Sequence, residues 1–222
     1  MNIDKDEVLR YLGYRDQPLS AELNDLIADL IAEASVLARP NYTYKKFPIE
    51  LTENQVNLLN TNYQLVGSDI VQHLKDSCCC VIMATTIGNM IEQRINYYNK
   101  FDLTKALILD ACATTAVESY TDQVQELIRL EALALGYGIT FRYSPGYGDL
   151  PISTQQFIAR LLETEKKIGL TVTADNVLLP RKSVTAIIGY QEKTIVNQLQ
   201  ECDTCSSRKL CKFAKEGGYC GR

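Results

Sequence analysis

Arg142, Tyr143, Tyr147 and Asp149 share one run of ten residues, Arg-Tyr-Ser-Pro-Gly-Tyr-Gly-Asp-Leu-Pro, with Pro145, Gly146, Gly148 and Pro151. The planar guanidinium of Arg142 can grip a carboxylate with two parallel hydrogen bonds. Each proline restricts its own φ and the residue before it, while each glycine admits backbone shapes closed to other residues. A surface turn needs only one such pair. The surplus predicts a rigid loop whose bare backbone admits close approach by a flat ligand. The plainer alternative is a Pro/Gly-rich loop with an incidental arginine, in which Asp149 is a turn residue.

A second group of chemically capable residues closes the chain. Cys202-x2-Cys205-x5-Cys211-x8-Cys220 places four of the eight cysteines within nineteen residues. Four thiolates can surround one metal, and both zinc and an iron–sulfur cluster accept four cysteine sulfurs. The spacing differs from the Cys-x2-Cys-x2-Cys run of ferredoxins. The readings open here are a 4Fe–4S cluster, zinc or a metal-free tail. Five basic side chains against three acidic ones lie between Glu201 and Arg222, and positive charge near thiolates lowers their pKa. Cys78, Cys79 and Cys80 are consecutive, so neighbouring side chains of a strand would face opposite ways, and they are read as small buried apolar residues. Cys112, inside a helical apolar pattern, is read the same way.

These candidates need a scaffold, and 222 residues with 46% hydrophobic and 23% charged content support a globular core. A net charge of −4 argues against a nucleic-acid footprint, which needs clustered Lys and Arg. Residues 1–10 lack the apolar core of a secretory signal, and no apolar stretch approaches the ~20 residues that span a bilayer. The expectation is a cytoplasmic protein without nucleic-acid or membrane partners.

Periodicity predicts helices over Asp4–Leu12, from Ser20 to Pro40, Ser68–Lys75, Gly88–Tyr98 and Thr154–Leu162, with Ser20, Ser68 and Ser153 as caps, and over Leu103–Leu135 either one long helix or two joined by a break. Strands are expected over Asn41–Ile49, Ser77–Thr86 and Ile139–Tyr143, the last delivering the ligand loop. Leu51–Val66 reads as strand and turn. Pieces near Leu170–Thr173 and Val184–Tyr190 are expected to return to the sheet. The fold class is α+β, with a mixed or antiparallel sheet and long central helices. Without βαβ alternation or a Gly-x-Gly-x-x-Gly turn, a Rossmann-type methyltransferase fits poorly. The lone His73, beside Lys75 and Asp76, reads as exposed.

The order Arg-x-x-Pro-Gly-Tyr-x-x-x-Pro resembles the S-adenosylmethionine-binding loop in the activation domain of cobalamin-dependent methionine synthase. Further blocks resemble that family in the same order: Thr85-Thr86-Ile87-Gly88 running into Glu92-Gln93-Arg94-Ile95, Ala106 to Ala111, Ala116-Val117-Glu118, and Pro180 to Gly189. The resemblance spans roughly Leu65 to Tyr190. It implies an activation-domain-like fold over residues 1–200, with helices and a strand in 1–64, the core in 65–200 and a Cys-rich tail in 201–222.

By resemblance, Arg142 binds the ligand carboxylate, Ser144 and Gly146 lay backbone against the ligand, and Tyr147 is the motif tyrosine. Glu118 matches an acidic ligand contact of the preceding helix, the alternative being an acid on a helix surface. The resemblance implies an accessory methyltransferase component in methionine biosynthesis that supports reductive methylation of cob(II)alamin. It implies a corrinoid-binding protein or split methionine synthase as partner, with a flavodoxin- or ferredoxin-like electron donor. The alternative is a non-catalytic interaction protein, or an iron–sulfur electron-transfer partner of a corrinoid protein, that uses Cys202, Cys205, Cys211 and Cys220.

Overall fold

A computed structural model describes residues 2–15 and 17–192. In chain order the elements are α1 (Lys5–Tyr11), α2 (Ala21–Leu37), β1 (Asn41–Leu51), β2 (Gln55–Leu58), β3 (Tyr63–Val66), α3 (Ser68–Leu74) and β4 (Ser77–Thr86). There follow α4 (Met90–Phe101), α5 (Leu103–Ala134), β5 (Tyr137–Ile139), α6 (Thr154–Leu162), α7 (Thr164–Ile168), β6 (Thr171–Val172), β7 (Leu178–Leu179) and β8 (Ser183–Glu192). The class is α+β, as the sequence pattern predicts.

Contacts divide these elements into two compact units. Of the described residues, the first holds those up to Tyr42 together with Thr85–Val124 and Thr164–Val184, and the second holds Thr43–Ala84, Gln125–Glu163 and those from Thr185 to Glu192.

The first unit is mainly helical. Ile27, Leu30 and Ala34 recur at three and four residues, forming a buried stripe on α2. That stripe packs in one apolar cluster with Val8, Ile91, Ile95, Leu109 and Ala116. Asp4 caps α1 through the Asp6 and Glu7 amides, and Ser20 caps α2 through Leu23. On α5, Thr114, Thr115 and Thr121 return their hydroxyls to carbonyls four residues back, which satisfies them inside a largely apolar helix. Thr121 also lies 2.8 Å from the buried Thr85 hydroxyl. One expected return to the main sheet does not occur. Thr171 and Val172 pair instead with Leu179 and Leu178 in a separate two-stranded ribbon.

The second unit is built on a six-stranded sheet, ordered β3-β2-β1-β4-β8-β5. β1, β2 and β3 form an antiparallel meander, and β5 runs antiparallel to β8. Central strands β4 and β8 are buried almost continuously, from Cys80 to Thr86 and from Thr185 to Tyr190, as an apolar run covered on both faces requires. Edge strand β3 buries only Leu65. The ambiguous Leu51–Val66 stretch thus supplies two strands.

Two expected caps are corrected. Ser68 is the first residue inside α3, with Gly67 before it, and the capping carboxylate arrives from Asp149. Ser153 precedes α6 without a side-chain cap bond, its backbone already near helical at φ −61° and ψ −17°. The expected strand Ile139–Tyr143 is also shorter, being replaced by β5 and an isolated bridge at Tyr143.

Candidate functional site

Within the second unit, the run from Arg142 to Pro151 leaves the sheet and leads to α6. Ile139 pairs with Tyr190, whereas Tyr143 pairs with Ile187. The chain therefore advances four residues on one side and three on the other. That single extra residue is a bulge, which bends the strand and re-aims its side chains. Arg142 is half-buried and lies in this irregular stretch, immediately before the bridge.

Beyond Tyr143 the loop closes on itself. The Gly146 amide donates to the Leu150 carbonyl at 2.9 Å, and the Tyr147 amide to the Ser144 carbonyl at 3.0 Å. Pro145 and Leu150 are buried and hold the loop down, while Gly146 through Asp149 are exposed. The Gly146 and Tyr147 amides are thus engaged inside the loop, with the Leu150 and Ser144 carbonyls as their acceptors. Gly148 has φ +50°, a left-handed conformation, and a Cβ there would strike the Asp69 carboxylate and the Tyr143 hydroxyl. The bareness expected of this glycine serves an internal close approach.

Aromatic rings back the loop. His73, on α3, contacts Phe141 at 4.5 Å and Tyr143 at 4.9 Å between centroids, and Tyr147 meets Tyr143 edge-on at 5.8 Å. His73 Nε2 is 3.0 Å from the Thr140 hydroxyl. The reading of His73 as exposed is therefore corrected: aromatic residues from the loop strand cover it. Burial pulls its pKa down to about 4, against a smaller opposing effect of a hydrogen bond to the Phe141 carbonyl, so the ring is neutral at pH 7.

Asp149 performs a task its sequence neighbours do not reveal. Its carboxylate accepts from the Ser68 amide at 2.6 Å, the Ser68 hydroxyl at 2.7 Å and the Asp69 amide at 3.1 Å. Its own amide donates to Asp69 Oδ2 at 3.2 Å. Desolvation raises the Asp149 pKa, but the bonds from the Ser68 hydroxyl and amide and the Asp69 amide outweigh it and hold the carboxyl below its usual range. The only sequence signal for this role was an acid in a loop beside a helix start.

Glu118 lies in the first unit, half-buried on α5. Desolvation first, and then the Glu118 charge, raise the pKa of the Tyr11 phenol. The block Pro180–Gly189 divides between the units. Lys182 bonds Asp110 at 2.9 Å and the Thr114 hydroxyl at 2.8 Å, tying this strand entry to α5. A cleft of about 430 Å³ opens beside it, lined by Glu92, Asn96, Leu103, Asp110, Arg181 and Lys182 among others.

Cys80 and Cys112 are buried as expected, and burial pushes the Cys112 thiol up to about 12. Cys79 is half-buried and also pushed up to about 12 by burial, whereas Cys78 is exposed, which corrects the expectation for that residue. Pleating explains the difference, because only one face of β4 is covered at its start. Among the described residues no group of three or more His, Cys, Asp or Glu could hold a metal ion. Cys202, Cys205, Cys211 and Cys220 lie outside the described residues. No described helix is long and apolar enough to cross a membrane.

No family model and no curated protein matches this chain. Among solved structures it is similar to the crystal structure of the MetH reactivation domain bound to AdoHcy. The TM-score is 0.65 at 14% identity, over 85% of this chain and 76% of that one. The fold is that of the MetH reactivation domain. At this identity the likeness establishes architecture, and it agrees with the fold implied by the ordered sequence blocks.

Proposed function

We propose that this chain binds S-adenosylmethionine at the 142–151 loop and supports reductive reactivation of a cobalamin-dependent methionine synthase or related corrinoid methyltransferase. One observation carries the reading. An Arg-x-x-Pro-Gly-Tyr loop, closed on itself and backed by aromatic rings, occurs in the fold of a reactivation domain that was crystallised with AdoHcy. Arg142 neutralises the amino-acid carboxylate of the ligand, the backbone of Ser144 and Gly146 lies along it, and Tyr147 packs on it or hydrogen-bonds it. By resemblance alone, Glu118 in the first unit is a further candidate, an acid of the kind that attracts an ammonium or sulfonium. The charged contact to the carboxylate orients the ligand and its transferable methyl group, which is catalysis by positioning.

Cobalamin held by a partner protein supplies, once reduced by one electron from a flavodoxin- or ferredoxin-like donor, the nucleophile that takes the methyl group. The residues of this chain therefore need no activated nucleophile of their own. Cys202, Cys205, Cys211 and Cys220 form the candidate metal group, taking a 4Fe–4S cluster or zinc if they take a metal. A second reading, an iron–sulfur or interaction partner of a corrinoid protein, rests on that cysteine spacing alone.

Methyl-labelled S-adenosylmethionine, mixed with the chain, a corrinoid protein and reductant, tests the function. The proposal expects label on the corrinoid only when the chain is present. Equal labelling without the chain contradicts it.

A further inference from the structure

The 142–151 loop is held at two posts. Upstream, Tyr143 and Ile187 exchange both amide-to-carbonyl bonds at 2.9 Å, which fixes the chain against β8. Downstream, Asp149 receives three hydrogen bonds from Ser68 and Asp69 and returns one to Asp69, 80 residues away in sequence. The exchange is reciprocal in the manner of a capping box, but its two halves come from separate segments. Ser144 through Gly148 lie between the posts.

Backbone chemistry couples the downstream post to the middle of the loop. The Leu150 carbonyl, one residue past Asp149, accepts from the Gly146 amide at 2.9 Å, and the Leu150 amide donates to the Tyr147 carbonyl at 3.0 Å. Both turns therefore share Leu150, the residue that follows Asp149. Glycine occurs on each side of the contact because no Cβ fits there. At Gly67 it would collide with the Asp149 carboxylate, and at Gly148 with the Asp69 carboxylate.

We infer that Asp149 is a positioning residue that fastens the loop to the start of α3, so that Ser144, Gly146 and Tyr147 are set before any ligand arrives. The inference rests on the ligand reading given above. Pre-organisation of this kind raises affinity by removing the cost of ordering the loop during binding. Asp149 itself touches Ser68 and Asp69 and acts on the ligand only through the loop.

The test uses the full chain, its Asp149→Ala and Asp149→Asn variants, and S-adenosylmethionine as titrant. Amide hydrogen exchange at Gly146 and Tyr147 is measured in parallel without ligand. Where loop order depends on the cap, losing the capping side chain corresponds to about a tenfold loss of affinity. Asp149→Ala should therefore bind about tenfold more weakly and exchange faster at both amides, with its thermal midpoint lowered by only about 2–4 °C. Asparagine keeps one acceptor oxygen but turns its NH2 toward one of the donors that the two carboxylate oxygens now take. Asp149→Asn, with one acceptor oxygen left, should fall between wild type and alanine in both readouts, a graded and local response that general destabilisation would not produce. Wild-type affinity or wild-type exchange in Asp149→Ala overturns the inference. If the unmutated chain takes no ligand, the functional reading falls instead. The exchange comparison still decides whether Asp149 fastens the loop.

Discussion

His73 shows how one side chain ties the loop to the stability of the second unit. Its pKa is held near 4 by burial against Phe141 and Tyr143, well below the ordinary value of 6.5. Between these values the unfolded chain binds a proton that the folded chain does not. Stability is therefore fully present above pH 6.5 and is lost as pH falls toward 4, by up to about 3 kcal/mol. Urea unfolding at pH 7 and pH 4.5 should show that loss, and His73→Phe should flatten the dependence. A slope unchanged in the variant would place the titration elsewhere. The sequence suggested exposure because Lys75 and Asp76 follow His73, while the rings that cover it come from about seventy residues downstream. Arg142 could be singled out as a candidate because its type and its Pro/Gly setting are local. The role of Asp149 was not legible, because its partners Ser68 and Asp69 are remote.

Elements here depend on close approach as much as on pattern. Gly189 lies in the buried centre of β8, where a Cβ would meet Leu74 Cδ2 at 2.7 Å and also strike the Ser77 hydroxyl. Gly189 is what lets α3 pack near the sheet, and α3 carries both His73 and the Asp149 contact. Gly189→Ala should cost about 1–3 kcal/mol through overpacking, measured by chemical denaturation. Wild-type stability would show that α3 shifts freely. Long elements were readable from sequence: the thirty-residue apolar periodicity became α5, and the continuous β-rich run became β4. Short ones were less so. Leu170–Thr173 carried strand-forming residues, yet its partner was the nearby Leu178–Leu179. Local composition indicates a strand but does not choose between two available edges.

At the scale of the molecule, fold and function rest on different supports. Ordered blocks from Thr85 to Gly189 implied an activation-domain architecture, and the likeness to the MetH reactivation domain at 14% identity agrees with it. Identity that low shows the architecture alone and does not place the chemistry. Folds host many functions, so the site must decide. The cysteine group at 202–220 was legible as a spacing, but spacing alone does not choose between iron–sulfur, zinc and no metal. The most direct measurement is calorimetric titration of S-adenosylmethionine into the intact chain and into Arg142→Ala. The account predicts saturable binding that weakens on the order of 10- to 100-fold in the variant, the loss of a hydrogen bond to a charged group. Equal affinity in both proteins, or none in either, would contradict it.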